Sequence, residues 1–226
     1  VTPVTAGGLE VRGFTGGAFA ENTFLLRCSA SGGAVLVDPG AAVREIIPVL
    51  RAEAIILDAV YLTHAHLDHV EGLPELFAEV GELPIYLHPD DLPLYRRAAD
   101  QAAMFGMRLA GPLPEIDRHL VPGTRIPVGD LELEVRFAPG HAPGHVIFIH
   151  GEGNLSLVGD VVFQGSIGRT DLPGGSMPQL LESIRNEILT LPDEMRLLPG
   201  HGPETTVRRE RLGNPFLTGQ APGMRA

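Results

Sequence analysis

Cysteine is almost missing from this 226-residue chain: Cys28 stands alone, which excludes an internal disulfide. It follows the apolar run Thr23-Phe24-Leu25-Leu26 with no base beside it, so it is expected in the core and not as a nucleophile. Basic residues are also scarce, 17 Lys plus Arg against 28 Asp plus Glu, a formal net charge of −11. That balance argues against the broad basic surface on which nucleic acids bind. Arg208, Arg209 and Arg211 are read instead as the solvated face of a C-terminal helix. Long uncharged apolar stretches are lacking, and the opening residues Val-Thr-Pro-Val-Thr-Ala-Gly-Gly have no leader pattern. The expectation is a cytoplasmic protein with neither membrane nor nucleic-acid partner. What the chain does have is 44% hydrophobic residues, enough for a sizeable core.

It also has the run Thr63-His64-Ala65-His66-Leu67-Asp68-His69, three imidazoles and a carboxylate directly after the apolar segment Ala59 to Leu62. Imidazole suits first-row metals, and a carboxylate adds a hard anionic ligand. If residues 59 to 62 form a buried strand, His64 and His66 leave its end at alternate positions and can turn to one point. Asp68 and His69, adjacent in sequence, cannot easily share that point with both. Two neighbouring metals fit this spacing better than one.

Further ligand-type residues recur with one grammar, an apolar strand, a glycine, then the ligand: Pro139-Gly140-His141-Ala142-Pro143-Gly144-His145, Gly159-Asp160 and Pro199-Gly200-His201-Gly202. Spacing alone does not choose between His141 and His145.

With these motifs, and with the loop Gly165 to Gly175 and the segments Leu198 to Thr205 and Arg211 to Leu217, the chain resembles the metallo-β-lactamase superfamily from about residue 9 to 217. Within it the likeness is to the compact bacterial type II glyoxalases, the hydroxyacylglutathione hydrolase group. The resemblance implies an α/β protein with the four-layer αβ/βα sandwich, as one domain over residues 1–217 with a loose tail at 218–226. It implies that His64, His66 and His141 hold one metal, that Asp68, His69 and His201 hold a second, and that Asp160 bridges them. His145 then either supports the ligands from behind or is a strand residue, the structural role being favoured. Two divalent ions are implied, zinc first, with iron or manganese as alternatives. The partner is a small acyl-thioester such as S-D-lactoylglutathione, cleaved by a hydroxide held between the metals, which Asp68 orients as catalytic residue. The extra C-terminal helical region with which glutathione-dependent members hold their thiol has little counterpart here, since barely more than twenty residues follow His201. Persulfide dioxygenases, which use one iron on the equivalents of His64, His141 and Asp160, resemble the chain too. Lactonases and β-lactamases share its metal grammar.

The pattern predicts strands at 9–14, 23–28, 34–37, 59–62 and 85–87 with helices at 42–51, 71–79 and 90–105. A Pro- and Gly-rich crossing follows at 106–123, then strands at 125–128, 131–137, 145–150, 155–158 and 195–198 and a helix at 177–190. Asp38, after Val35-Leu36-Val37, either caps the helix beginning near Ala42 or orients the histidine loop; the resemblance favours the second. Arg169 and Asp171 are spaced for a local ion pair. His88, His119 and His150 are assigned no role at the site.

Overall fold

Ala34 and Leu36 pack into one apolar cluster while Val35 and Val37, between them in sequence, pack into another, and all four are fully buried. A strand covered on both faces has to lie between two layers. The computed structural model, which describes residues 4–220, has that arrangement throughout.

The first half of the chain builds one mixed sheet, β1 (Val4–Ala6), β2 (Leu9–Gly16), β3 (Glu21–Cys28), β4 (Ala34–Val37), β5 (Leu57–Tyr61), β6 (Ile85–Leu87) and β7 (Arg118–His119), in that spatial order. β1 to β4 pair antiparallel and β4 to β7 parallel. Parallel neighbours need crossovers, which carry α1 (Val43–Ala52), α2 (Leu67–Val70), α3 (Leu73–Val80), α4 (Leu92–Arg96) and α5 (Ala98–Met104). The second half supplies β8 (Arg125–Val128), β9 (Leu131–Phe137), β10 (Val146–His150), β11 (Leu155–Gly159), the ribbon β12 (Val162–Phe163) with β13 (Ser166–Ile167), α6 (Met177–Ser183), β14 (Arg196–Pro199), β15 (Thr205–Thr206) and α7 (Val207–Gly213). Its sheet runs β15-β14-β11-β10-β9-β8 and is parallel only between β11 and β14.

Three apolar clusters make the layers. Between the sheets lie Leu26, Val35, Val37 and Tyr61 from one and Val135, Val146, Phe148 and Leu157 from the other. Outside the first sheet, Leu36, Val60 and Ile85 meet Val43 and Ile46 of α1 and Leu73 and Leu76 of α3. Outside the second, Ile147, Ile149 and Val158 meet Leu180 of α6 and Val207 of α7. This is the αβ/βα sandwich that the resemblance implied.

Two helices depart from the sequence pattern for identifiable reasons. The stretch 90–105 opens with a short 3-10 turn at Pro89–Asp91 and breaks at Arg97, where the Leu94 carbonyl accepts from the Arg97 amide and from the Gln101 side chain. The stretch 177–190 is α-helical only to Ser183, whose hydroxyl donates to the Pro139 carbonyl, and continues as a π turn over Ile184–Ile188. The crossing 106–123 contains β7, and the segment expected at 71–79 begins only at Leu73, because the Gly72 amide is held by the Pro39 carbonyl. Of the tail expected at 218–226, residues 221–226 lie outside the described residues. Among the described residues no helix is long and apolar enough to cross a membrane.

Phe148 is fully buried at the centre of the inter-sheet cluster, near the Tyr61 ring at 6.0 Å. Phe148→Ala is expected to lower unfolding free energy by about 3–5 kcal/mol in urea titrations. A loss below about 1 kcal/mol would mean that the sheets can close over the gap.

Candidate metal centre

β4, β5 and β6 run parallel, and so do β11 and β14, so the carboxyl ends of each set share an edge. At these ends stand Asp38 after β4, His64 to His69 after β5, Asp160 after β11 and His201 after β14. β9 ends beside them and leads to His141, and β10, running antiparallel, begins there just after His145. The edge is laced across the two sheets. The Val146 amide donates to the Thr63 carbonyl and the Asn22 amide to the Gly200 carbonyl. The Asn22 side chain donates to the carbonyls of Pro199 and Gly202, on either side of His201.

The structure brings all seven sequence-predicted residues together. His64 Nε2 and His66 Nδ1 lie 3.2 and 2.8 Å from His141 Nε2. Asp68 Oδ2 lies 3.2 Å from His201 Nε2 and 3.9 Å from His69 Nε2. Asp160 sits between the two groups: Oδ1 is 3.4 Å from His69 Nε2, and Oδ2 is 3.4 Å from both His141 Nε2 and His201 Nε2. Within each triad, His64, His66, His141 and Asp68, His69, His201, the donor atoms fall within 4.8 Å of one another. Gly200 permits this approach, since a Cβ there would lie 2.3 Å from Asp160 Oδ1.

The hydrogen bonds around the rings fix where the protons are. His141 Nδ1 and His201 Nδ1 face the carbonyls of Arg169 and Phe19 at 2.7 and 3.0 Å, so both must donate there. Thr63 Oγ1 donates to Asp38 Oδ2 and therefore accepts from His64 Nδ1; His69 Nδ1 donates to the same carboxylate oxygen. Each of these four rings then turns its Nε2 to the centre, a lone pair on His64 and His141 and, once its second proton leaves, on His69 and His201 as well. Lone pairs of His64 and His141 confront one another at 3.2 Å, and His69 Nε2 and Asp160 Oδ1 are buried without a hydrogen-bond partner. Convergent lone pairs with their outer nitrogens anchored fit bound cations, with imidazole and carboxylate ligands suited to zinc, iron or manganese.

Electrostatics divides the two triads. Burial pushes His64 well below its ordinary value, His66 down to about 3 and His141 down as well, so these rings stay neutral. Burial also opposes charge on His69 and His201, but the carboxylates outweigh it. Asp160, Asp68 and Asp38 raise His69, and hydrogen bonds to Asp160 and Asp68 raise His201 to about 10. Burial acts against ionised Asp160 too, and His69 and His201 outweigh it and hold its carboxyl well below the usual range.

Of the two readings of Asp38, the structure selects the orienting one. Its carboxylate accepts from the Thr63 amide and hydroxyl and from His69, while α1 has Ala42 at its cap position with no side-chain cap bond. Asp38 adopts φ 50°, a left-handed conformation that turns the chain sharply after β4. His145, set aside in the sequence reading, stacks on His64 at 4.7 Å and accepts the Asp160 amide through Nε2. His88 stacks on Phe137, His150 bonds the Gly7 carbonyl, and Cys28 is buried, all away from the centre. Arg169 and Asp171 form the expected ion pair, with both contacts at 2.7 Å.

Two important residues carried no motif. The fully buried Asp91 accepts the Ala65 amide at 2.8 Å and the Gly144 amide at 2.6 Å, tying the His64–His66 turn to the His141–His145 turn. Burial pushes its carboxyl up to about 6 despite these two donors. The Gln101 side chain accepts from the Leu67 amide and donates to the Ala65 carbonyl. A signal for Asp91 was present, since His88-Pro89-Asp90-Asp91 follows the apolar β6 as the other site residues follow their strands.

The signature described as metallo-beta-lactamase superfamily matches residues 16–201. The Bacillus subtilis protein named "Probable metallo-hydrolase YqgX" is 38% identical over 188 residues, 82% of this chain and 87% of that one. Hydroxyacylglutathione hydrolase GloC of Haemophilus influenzae is 34% identical over 210 residues, 90% of this chain and 96% of that one. The crystal structure of TTHA1623 in a di-iron-bound form has a TM-score of 0.82 and 39% identity, and covers 96% of this chain and 100% of that one.

Asp91→Asn keeps the volume but sets an amide donor against one of the two backbone donors. It is expected to weaken metal affinity by about 10–100-fold in competition with a chromophoric chelator; unchanged affinity would remove Asp91 from the scaffold of the centre. In metal-free protein at pH 8, His201 holds a second proton, because hydrogen bonds to Asp160 and Asp68 raise its pKa to about 10. A cation must displace what it finds there, so loading at pH 8 should release at least about one proton per chain. Calorimetry in buffers of different ionisation enthalpy reads that number, and no release would contradict the charge distribution described.

Proposed function

This chain belongs to the metallo-beta-lactamase superfamily and is a metal-dependent hydrolase, and we propose that it holds two divalent cations and cleaves acyl thioesters in the manner of the type II glyoxalases. The observation that carries the proposal is Asp160, one carboxylate within 3.4 Å of donor nitrogens in both triads. His64, His66 and His141 would hold one cation, Asp68, His69 and His201 the other, and Asp160 both. Bound there, the pair supplies Lewis acidity and makes a water acidic enough to serve as nucleophile near neutral pH. The protein's own part is positioning. Asp68 lines the cavity over the triads and can accept a hydrogen bond from the attacking water, while Asp38, Thr63 and the carbonyls of Phe19 and Arg169 hold the rings at fixed angles. Hydrolysis adds water across the acyl carbon–sulfur bond, giving a carboxylic acid and a thiol. A thiolate is a good leaving group and needs little general-acid help.

The thioester class is supported by the likeness to GloC, 34% identical over nearly the whole of both chains. Protein loaded with zinc, iron or manganese, its metal counted in the same sample, is expected to hydrolyse S-D-lactoylglutathione with two metals per chain and no oxygen uptake. Chelation should abolish turnover and metal return should restore it. Asp160→Ala should cost at least about 100-fold in kcat. Turnover by fully stripped protein, or oxygen uptake on glutathione persulfide with one iron per chain, would overturn the proposal.

A further inference from the structure

The cavity over the triads has a volume of about 300 Å³, at the small end for ligand sites. Its floor is polar, formed by side chains of the two triads and Asp160, and its walls are mainly apolar, with Phe19, Phe105, Phe163 and Leu172 among them. Phe19, in the turn between β2 and β3, meets Phe105, just past α5, edge to face at 5.0 Å, so two distant segments close one side. Phe163 presents its edge to His201 at 5.9 Å. Phe105, 46% exposed, is the apolar lip of the cavity on this side.

Charge is missing from these walls. The one guanidinium lining the cavity, Arg169, is engaged through Nε and Nη2 by Asp171. Arg108 lines a separate depression beside Gly17 and Ala18, beyond the Phe19–Phe105 contact. Among the described residues lining the cavity, a peptide thiol bearing carboxylates finds no free cation, whereas an alkyl chain finds aromatic surface on several sides.

Resting on the thioesterase reading above, we propose that Phe19, Phe105 and Phe163 form an acyl pocket and that the enzyme selects its substrates by the acyl group. The substrate class is thioesters of short apolar acyl chains, with the thiol left unread outside the lip. Each methylene that enters the pocket should raise kcat/KM by about fourfold until the cavity is full.

The experiment uses the metal-loaded full chain and acetyl, butanoyl and hexanoyl thioesters of glutathione and of the neutral thiol N-acetylcysteamine. It is paired with calorimetric binding of the uncleavable thioethers S-methyl- and S-hexylglutathione. The expected result is a rise with acyl length, near-equal kcat/KM for the two thiols, and tighter binding of the hexyl thioether. Phe105→Ala, at a half-exposed position, should flatten the rise and level the two thioethers, while Arg108→Ala should change neither. Cleavage that ignores acyl length but prefers glutathione tenfold or more, with the preference lost in Arg108→Ala, would overturn the acyl pocket and leave the hydrolase standing. Chain-length-dependent thioether binding without cleavage of any thioester would support the pocket and overturn the reaction assigned to it.

Discussion

Imidazole nitrogens and carboxylates whose lone pairs converge within a few ångströms repel one another, and the rest of this structure is arranged to hold them there. Asp38 fixes Thr63 and His69, Asp91 fixes the two histidine turns to each other, and Asn22 fixes the turn that carries His201. Backbone carbonyls of Phe19 and Arg169 orient two of the rings. Each restraint joins segments far apart in sequence, so the geometry of the centre is a property of the assembled sandwich. Buried charge of this density is costly to a fold. A bound cation returns that cost as binding free energy available only to the folded state, which couples the stability of the chain to its metal.

The same demand accounts for where the centre lies. Parallel strands deliver their carboxyl ends to one edge, and the antiparallel pair β9 and β10 brings His141 and His145 to the same edge from the other sheet. The sheets meet there through direct amide-to-carbonyl contacts, Val146 to Thr63 and Asn22 to Gly200. A side chain at position 200 would collide with Asp160, so the glycine is fixed by the centre's dimensions. Packing between the sheets, around Tyr61 and Phe148, sets their spacing and hence how closely His141 and His201 approach the ligands that follow β5.

How much of this was legible in the sequence follows from how local each feature is. The histidine run after β5 and the Gly-His and Gly-Asp turns are contiguous motifs, and the strands that deliver them are mostly short apolar runs, so the residues that gather at the edge could be read in advance, while the layered sandwich came with the family likeness. Choosing His141 over His145 needed the family likeness, because both sit at the end of strands in the same turn. Asp91 was missed because its role is defined by two amides from elsewhere in the chain, and His-Pro-Asp-Asp by itself is an ordinary turn. The break at Arg97 has the same origin. Periodicity cannot show that the Leu94 carbonyl will be claimed by the Gln101 side chain, which also braces the backbone around Ala65 and Leu67.

Charge supplies the last link between composition and chemistry. The chain contains no lysine, and its arginines are largely engaged by carboxylates, as in the forked contacts of Arg12 with Glu53, Arg44 with Glu75 and Arg196 with Glu204. Two divalent cations, bound as proposed, would offset only part of the net charge of −11, so the field around the molecule draws cations toward the centre and disfavours approach of anionic ligands. Paired arginines do little to reverse that field at the mouth. On the acyl-pocket proposal, discrimination among substrates would fall to short-range contact with the aromatic walls, since the polar floor would be committed to the reacting group.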